Sequence, residues 1–335
     1  MSICGSRCEI MLTAPFPYYG GKRRIALETW DHFGKVDRYI EPFFGSGAVL
    51  LANPYPAKSE IVCDLNGFVS NFWRSIQNDP EKTAHYADWP SFHHDLAARH
   101  TWLVKWGNEN IKLCEDPDFY DPKVAGWWCW GMSLWIGGSF CQLSEDVPNQ
   151  SHGIIESRQT TKPQGVMKRK LVIDRIPKVH NGKQASSRST RKTNENLKNW
   201  FLKLSQRLEN VIILNRSWKS AVTPTILGDT DTSPLTTRAV FLDPPYLTAN
   251  RHTGIYQSDN DGTTNKVAQD SYDWAVSKGK NPDYKIAYCC GEGDFDIPQG
   301  WFTISQKFMG ERNANRNDII MFSPACRGSQ QQTLF

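Results

Sequence analysis

The sequence predicts an α/β fold, a doubly wound sheet with helices on both faces, interrupted by a long insertion. Three observations carry this. Three short apolar runs end in an acid or a glycine-rich turn. Stretches with helical periodicity follow them. Between two such sets lies a segment, 79–195, with no regular period and many basic residues.

Residues 38–52 (Arg-Tyr-Ile-Glu-Pro-Phe-Phe-Gly-Ser-Gly-Ala-Val-Leu-Leu-Ala) read as a strand, a glycine turn and a helix start. Residues 60–64 read as a second strand closed by Asp64, and Asn66 to Ile76 as a helix with Phe68, Phe72, Trp73 and Ile76 on one side. Regular pattern returns at Leu197, where Leu197, Trp200, Phe201, Leu204 and Leu208 trace one helix face. Strands are expected at 211–214, 239–242, 284–288 and, as the last, 319–322. The tryptophan-rich segment 126–138 reads as a buried helix and turn rather than a stacking platform.

Bulk composition narrows the class. Hydrophobic residues make up 39% and charged residues 22%, so the chain can bury a core. Net charge is only +4, so a nucleic-acid signal must lie in the placement of charge. The nine cysteines form no CxxC pair, and His93, His94, His100 and Cys114 match no common metal spacing, so no metal site is expected. No apolar run is long enough for a signal peptide core or a membrane span, which suits a reduced, cytoplasmic protein.

Asp243-Pro244-Pro245-Tyr246 follows the apolar run Ala239–Leu242. Ligands of open α/β sheets bind outside the carboxyl ends of strands. There Asp243 can accept a hydrogen bond from an exocyclic amine. Pro244 and Pro245 stiffen the turn and direct a carbonyl outward, and Tyr246 offers a face for a base. An ordinary turn uses the same residue types. Phe43-Phe44-Gly45-Ser46-Gly47 allows close backbone approach, with helix N–H groups behind it, or is a tight turn without a ligand. Asp64, about 20 residues on, sits where nucleotide sites hold a ribose diol, and alone could be a helix cap. Together they favour an adenosine-containing cofactor. Gly20-Gly21-Lys22-Arg23-Arg24 is a cationic backbone nest for a carboxylate or phosphate, or a solvated basic turn. Within 158–192, eleven Lys or Arg stand against the single acid Asp174, which favours phosphate binding over a merely solvated face. Arg158, Lys162, Lys168, Arg169 and Lys170 are the leading DNA contacts.

In this order the pieces resemble the Dam-like N6-adenine DNA methyltransferases. Gly20-Gly21-Lys22 comes first, then Phe43 to Gly47, Asp64, an insertion, and Asp243 to Tyr246. Pro15–Tyr18, Gly67–Arg74 and Phe322–Pro324 resemble phage and prophage members in particular. The resemblance implies a Rossmann-like methyltransferase sheet from residues 1–78 and 196–330, with 79–195 an inserted, mostly helical or irregular target-recognition domain. It implies S-adenosylmethionine over Phe43, Gly45 and Gly47, with Asp64 on its ribose and Tyr18, Tyr19, Gly20, Gly21 and Lys22 closing over it. It implies a flipped adenine stacked on Tyr246, its N6 hydrogens accepted by Asp243 and the Pro244 carbonyl. Double-stranded DNA is the implied partner, in a bacterial cell or phage-infected host, and no metal is needed. The long polar segment 247–270 departs from the pattern; Arg251 in it is a further DNA candidate. Cytosine-N4 methylation, or a catalytically inactive DNA-binding relative, is the alternative. Finally, Gln331-Gln332-Thr333-Leu334-Phe335 resembles the peptide that docks on bacterial sliding clamps, and otherwise is a plain tail.

Overall fold

The computed structural model describes residues 12–18, 20–90, 92–135, 140–141, 190–230, 237–247, 263–307 and 317–326. Helix α1 (Ala26–Phe33) leads into strand β1 (Arg38–Glu41), the short α2 (Ala48–Leu51), β2 (Ser59–Cys63) and α3 (Gly67–Asn78). Then come α4 (Pro80–Ala87), α5 (His93–Asn110), a 3-10 turn (Ile111–Glu115) and α6 (Pro122–Leu134). After the insertion follow α7 (Thr190–Leu208), β3 (Val211–Leu214), α8 (Trp218–Ala221), α9 (Pro224–Leu227) and β4 (Arg238–Leu242). Helix α10 (Thr264–Lys278), β5 (Tyr284–Gly291), β6 (Phe302–Lys307) and β7 (Asn317–Phe322) complete the described elements.

The seven strands form one sheet in the order β3-β2-β1-β4-β5-β7-β6. The first five run parallel, and β7 lies antiparallel to both β5 and β6. Ile40 of β1 stands opposite Ile61 of β2 and Val240 of β4, so the register is continuous across the sheet centre. The strand order reverses between β1 and β4. That reversal opens a crevice outside their carboxyl ends, the place where such sheets bind ligands. The Phe43–Gly47 loop leaves β1 there, and Asp243–Tyr246 leaves β4.

Both faces of the sheet are covered, as expected of parallel strands, and successive residues alternate between two cores. Tyr39, Val62 and Phe241 join Phe16, Trp30, Phe72, Trp73, Trp128 and Phe201 on one face. Ile40, Ile61, Val240, Leu242, Ile286 and Tyr288 pack together on the other. Asn66 caps α3 by accepting from the Phe68 N–H at 3.0 Å. Asp121 caps α6 by accepting from Lys123 and Val124, with Pro122 supplying the preset first turn. Helices α4 to α6 contribute Ala84, Ala87, Leu103, Val124 and Trp128 to the same core as α3 and α7. Gly126 permits this, since a Cβ there would stand 2.5 Å from Tyr86 Cβ. The helical start of the 79–195 segment is therefore packed on the sheet's flanking helices.

Three differences from the sequence reading stand out. Helix α7 begins at Thr190, so Arg191 and Lys192 of the basic stretch lie on its first turn. The segment after Asn78 carries α4 and α5 where the sequence shows no regular pattern, while α6 covers most of the helix expected at 126–138 and starts a turn earlier. Strand β6 was missed, because its only apolar residues, Phe302 and Ile304, alternate with the exposed Thr303 and Ser305 on a sheet edge. Among the described residues, no helix is long and apolar enough to cross a membrane.

Candidate active site

Three amides fix the loop after β1. Phe44 N–H donates to the Cys63 carbonyl at 2.9 Å, which ties the loop to the end of β2. Gly45 N–H donates to Asp64 Oδ2 at 2.8 Å, and Gly47 N–H to the Phe44 carbonyl at 2.8 Å. The Gly45 carbonyl accepts from the Trp73 indole at 2.9 Å. Gly45 and Gly47 have φ of +49° and +62°, the left-handed region that favours glycine. A Cβ on Gly45 would lie 2.7 Å from the Tyr18 ring, so this glycine lets Tyr18 lie flush against the loop. Phe43 stacks on Trp218 at 6.2 Å between ring centroids.

Asp64 accepts on both oxygens, from Gly45 N–H and from Asn66 N–H at 2.8 Å each. Burial pushes its carboxyl up to about 6, more than the two N–H bonds pull it down. The cap of α3 is Asn66, so Asp64 is spared that duty. Its own carbonyl is held by the Asn215 side chain, which also reaches Leu65 O and Ser70 Oγ.

The second group forms around Asp243. Gly20, at φ +72°, and a Gly21 N–H bond to the Tyr18 carbonyl turn the chain so that Lys22 points inward. Lys22 is 5% exposed, while its neighbours Arg23 and Arg24 face solvent. Its ammonium lies 2.9 Å from Asp243 Oδ1 and donates to the Gly20 carbonyl at 2.7 Å. It also stands 5.2 Å from the centroid of the Tyr246 ring. Burial works against the ammonium, but the carboxylate of Asp243, with Cys289 and Asp318 farther off, outweighs it and raises its affinity for the proton. Burial raises the Asp243 carboxyl, opposed by Lys22 and by a hydrogen bond with the Cys289 thiol. Asp243 therefore stays an acceptor because a cation stands beside it. Pro244 is buried, and Pro245 and Tyr246 are half-buried.

Glu41, the last residue of β1, is a third carboxylate near this centre. It accepts from the Tyr39 hydroxyl at 2.8 Å and Leu50 N–H at 3.2 Å, and burial pushes it up to about 8.

Of the expected site residues, Tyr18, Gly20, Gly21, Lys22, Phe43, Gly45, Gly47, Asp64, Asp243, Pro244, Pro245 and Tyr246 all lie on segments at the carboxyl ends of β1, β2 and β4 or over them. Tyr19, Arg158, Lys162, Lys168, Arg169, Lys170, Arg251 and Gln331–Phe335 fall outside the described residues. Sequence reasoning missed Trp73, Asn215, Cys289 and Asp318. Only Trp73 carried a signal, as part of the Gly67–Arg74 motif, and that was read as core. Among the described residues, no group of three or more His, Cys, Asp or Glu is arranged to hold a metal.

An acceptor carboxylate, a flanking ammonium and an aromatic ring beside a glycine loop can bind and orient an amine. The sequence comparisons point to the same chemistry. No curated protein matches the chain significantly. The family model of the D12 class N6 adenine-specific DNA methyltransferase matches residues 18–110, the stretch that holds the Tyr18–Lys22 segment, the glycine loop and Asp64. Over that stretch the chain is similar to the D12 class N6 adenine-specific DNA methyltransferases, and the strand order of the sheet, with Asp243–Tyr246 closing β4, is consistent with a Rossmann-like methyltransferase fold.

Proposed function

We propose that this chain moves a methyl group from S-adenosylmethionine to N6 of an adenine rotated out of duplex DNA, with Asp243–Tyr246 as the reacting site. The observation that carries the reading is the pairing of Asp243 with Lys22 beside Tyr246 at the sheet's reversal point.

The residues fit the cofactor. Each Asp64 oxygen accepts one N–H and keeps a lone pair for a ribose hydroxyl. Phe43, Gly45 and Gly47 form the floor, and Tyr18 to Lys22, with Tyr19 among them, the cover. S-adenosylmethionine supplies a methyl group on a positively charged sulfur. The protein does the rest. A stacked adenine cannot present N6 to an in-line donor, so the base must leave the helix. Tyr246 stacks on it, a contact worth about 1–3 kcal/mol per base. Asp243 and the Pro244 carbonyl accept the two N6 hydrogens, which draws the nitrogen lone pair out of conjugation and aims it. The positive charge that grows on N6 is stabilised by the Asp243 carboxylate, and the surplus proton leaves along that bond. Lys22 keeps Asp243 ionised and fixed between turnovers.

Around this centre, residues 79–195 serve as the target-recognition region, with Arg158, Lys162, Lys168, Arg169, Lys170 and Arg251 on phosphates. The tail Gln331–Phe335 docks on a sliding clamp, as in a phage or prophage enzyme working in a bacterial cytoplasm. Its deletion abolishes clamp pulldown and spares methylation.

The test is incubation with tritiated S-adenosylmethionine and duplex DNA, followed by digestion and identification of the labelled nucleoside. Label in N6-methyladenine supports the reading. Label in N4-methylcytosine, or no label at all, sinks it. Asp243→Ala loses transfer and keeps cofactor binding; an active variant removes Asp243 from the mechanism.

A further inference from the structure

The amides of Phe44 to Gly47 in the glycine loop are not alike. Those of Phe44, Gly45 and Gly47 are bonded within the protein. The Ser46 N–H has no hydrogen-bond partner among the described residues. Its peptide is shared with the Gly45 carbonyl, which accepts from the Trp73 indole at 2.9 Å. No described peptide is cis, and in a trans peptide the C=O and N–H point to opposite sides. Trp73 is fully buried among Phe16, Phe44 and Phe72, beneath the loop. Drawing the Gly45 carbonyl down onto that indole therefore turns the Ser46 N–H up, away from the core. Glycine has little conformational preference of its own, so a Gly45–Ser46 peptide needs an outside hold to keep one orientation.

We propose that Trp73 is a positioning residue for the cofactor: by holding the Gly45 carbonyl it presents the Ser46 N–H as a preorganised donor for an anionic or polar group of the ligand. It rests on the reading of this loop as the S-adenosylmethionine site. The chain supplies its own control. Trp30 is an equally buried tryptophan whose indole donates at 2.7 Å to the Val49 carbonyl, in the helix after the loop rather than in the loop. Both indoles satisfy a buried carbonyl, but only one orients a loop peptide.

The experiment is calorimetric titration of the full chain with S-adenosylhomocysteine, for wild type, Trp73→Phe and Trp30→Phe, beside thermal melts of each. Both variants lose a buried hydrogen bond and melt earlier. Trp73→Phe alone weakens binding, by roughly ten-fold, the change about 1.4 kcal/mol makes. Its KM for S-adenosylmethionine rises while kcat at saturation changes much less. Equal binding by Trp73→Phe and wild type, or equal weakening by both variants, overturns the assignment. As a readout that needs no variant to fold, isotope-labelled tryptophan in the wild type shows the Trp73 indole N–H shifted and slowed in exchange on saturation. An unmoved resonance overturns the proposal. A wild type that binds no S-adenosylhomocysteine refutes the cofactor site itself, and this inference with it, whereas tight wild-type binding with an indifferent Trp73→Phe refutes only the inference.

Discussion

Replacing Lys22 by methionine keeps the length of the side chain and removes the charge beside Asp243. The two groups are 2.9 Å apart, with Lys22 5% and Asp243 20% exposed. At an effective dielectric near 20 that separation corresponds to about 6 kcal/mol, an upper bound. Neighbouring cations depress a carboxyl by about one to three pH units in practice. Burial already raises Asp243, so losing Lys22 carries it further up by that amount. A protonated Asp243 has lost the acceptor that the amine needs. Activity therefore falls below the carboxyl's titration, and Lys22→Met moves the acidic limb of kcat/KM upward by about one to three units. Stability moves in the same sense. A carboxyl whose folded affinity for the proton exceeds its unfolded one contributes stability at low pH and loses it as pH rises. The melting temperature of Lys22→Met should thus fall, relative to wild type, as pH rises through the shifted titration. Initial rates of tritium transfer into duplex DNA across the pH range, beside melts in the same buffers, measure both. A uniformly lower profile with an unmoved acidic limb refutes the coupling and places the role of Lys22 elsewhere.

Glu41, pushed by burial from 4.5 to about 8, makes the wild type lose stability as pH rises between those values. The loss is at most about 5 kcal/mol, and Glu41→Gln should flatten that slope in urea titrations at several pH values. Arg207 holds Glu60 through two bonds of 2.6 and 2.8 Å and also reaches the Leu50 carbonyl. Arg207→Met should cost about 3–5 kcal/mol by stranding a buried carboxylate, and adding Glu60→Gln should recover much of it. Gly45→Ala should abolish S-adenosylhomocysteine binding in calorimetry. The added methyl meets the Tyr18 ring, and φ of +49° strains any other residue. Adding Tyr18→Ala relieves the clash but leaves the strain, so recovery should be partial.

The sheet was legible because strands buried on both faces leave unbroken apolar runs, and because Asp64 and Asp243 mark their carboxyl ends. The glycine loop was legible for a similar reason, since left-handed φ at Gly45 and Gly47 leaves few other residues possible. Lys22 was not. In sequence it is one of three adjacent cations, and only folding buries it against Asp243 while Arg23 and Arg24 stay wet. Trp73 fits the apolar face of α3 so well that its polar edge goes unnoticed. The direction of an indole N–H is a property of the packed structure. Edge strand β6 pairs with β7 alone and needs only one apolar side, so two hydrophobic residues suffice and no run forms.

The interleaving of the sheet bears on how the chain is made. Strands β1 and β2, which precede the other described strands in the chain, are flanked on both sides by strands from beyond the insertion. From Cys63, where β2 ends, to Val211, where β3 begins, the ribosome must add 147 more residues, and β4 comes later still. At about 5–20 residues per second, β1 and β2 wait roughly 7–30 s with both edges bare. Unpaired apolar edges of this kind template aggregation. The nascent chain is therefore most vulnerable before its second half emerges, and a chaperone that shields strands β1 and β2 on the ribosome should raise the yield of soluble enzyme more than one added after release.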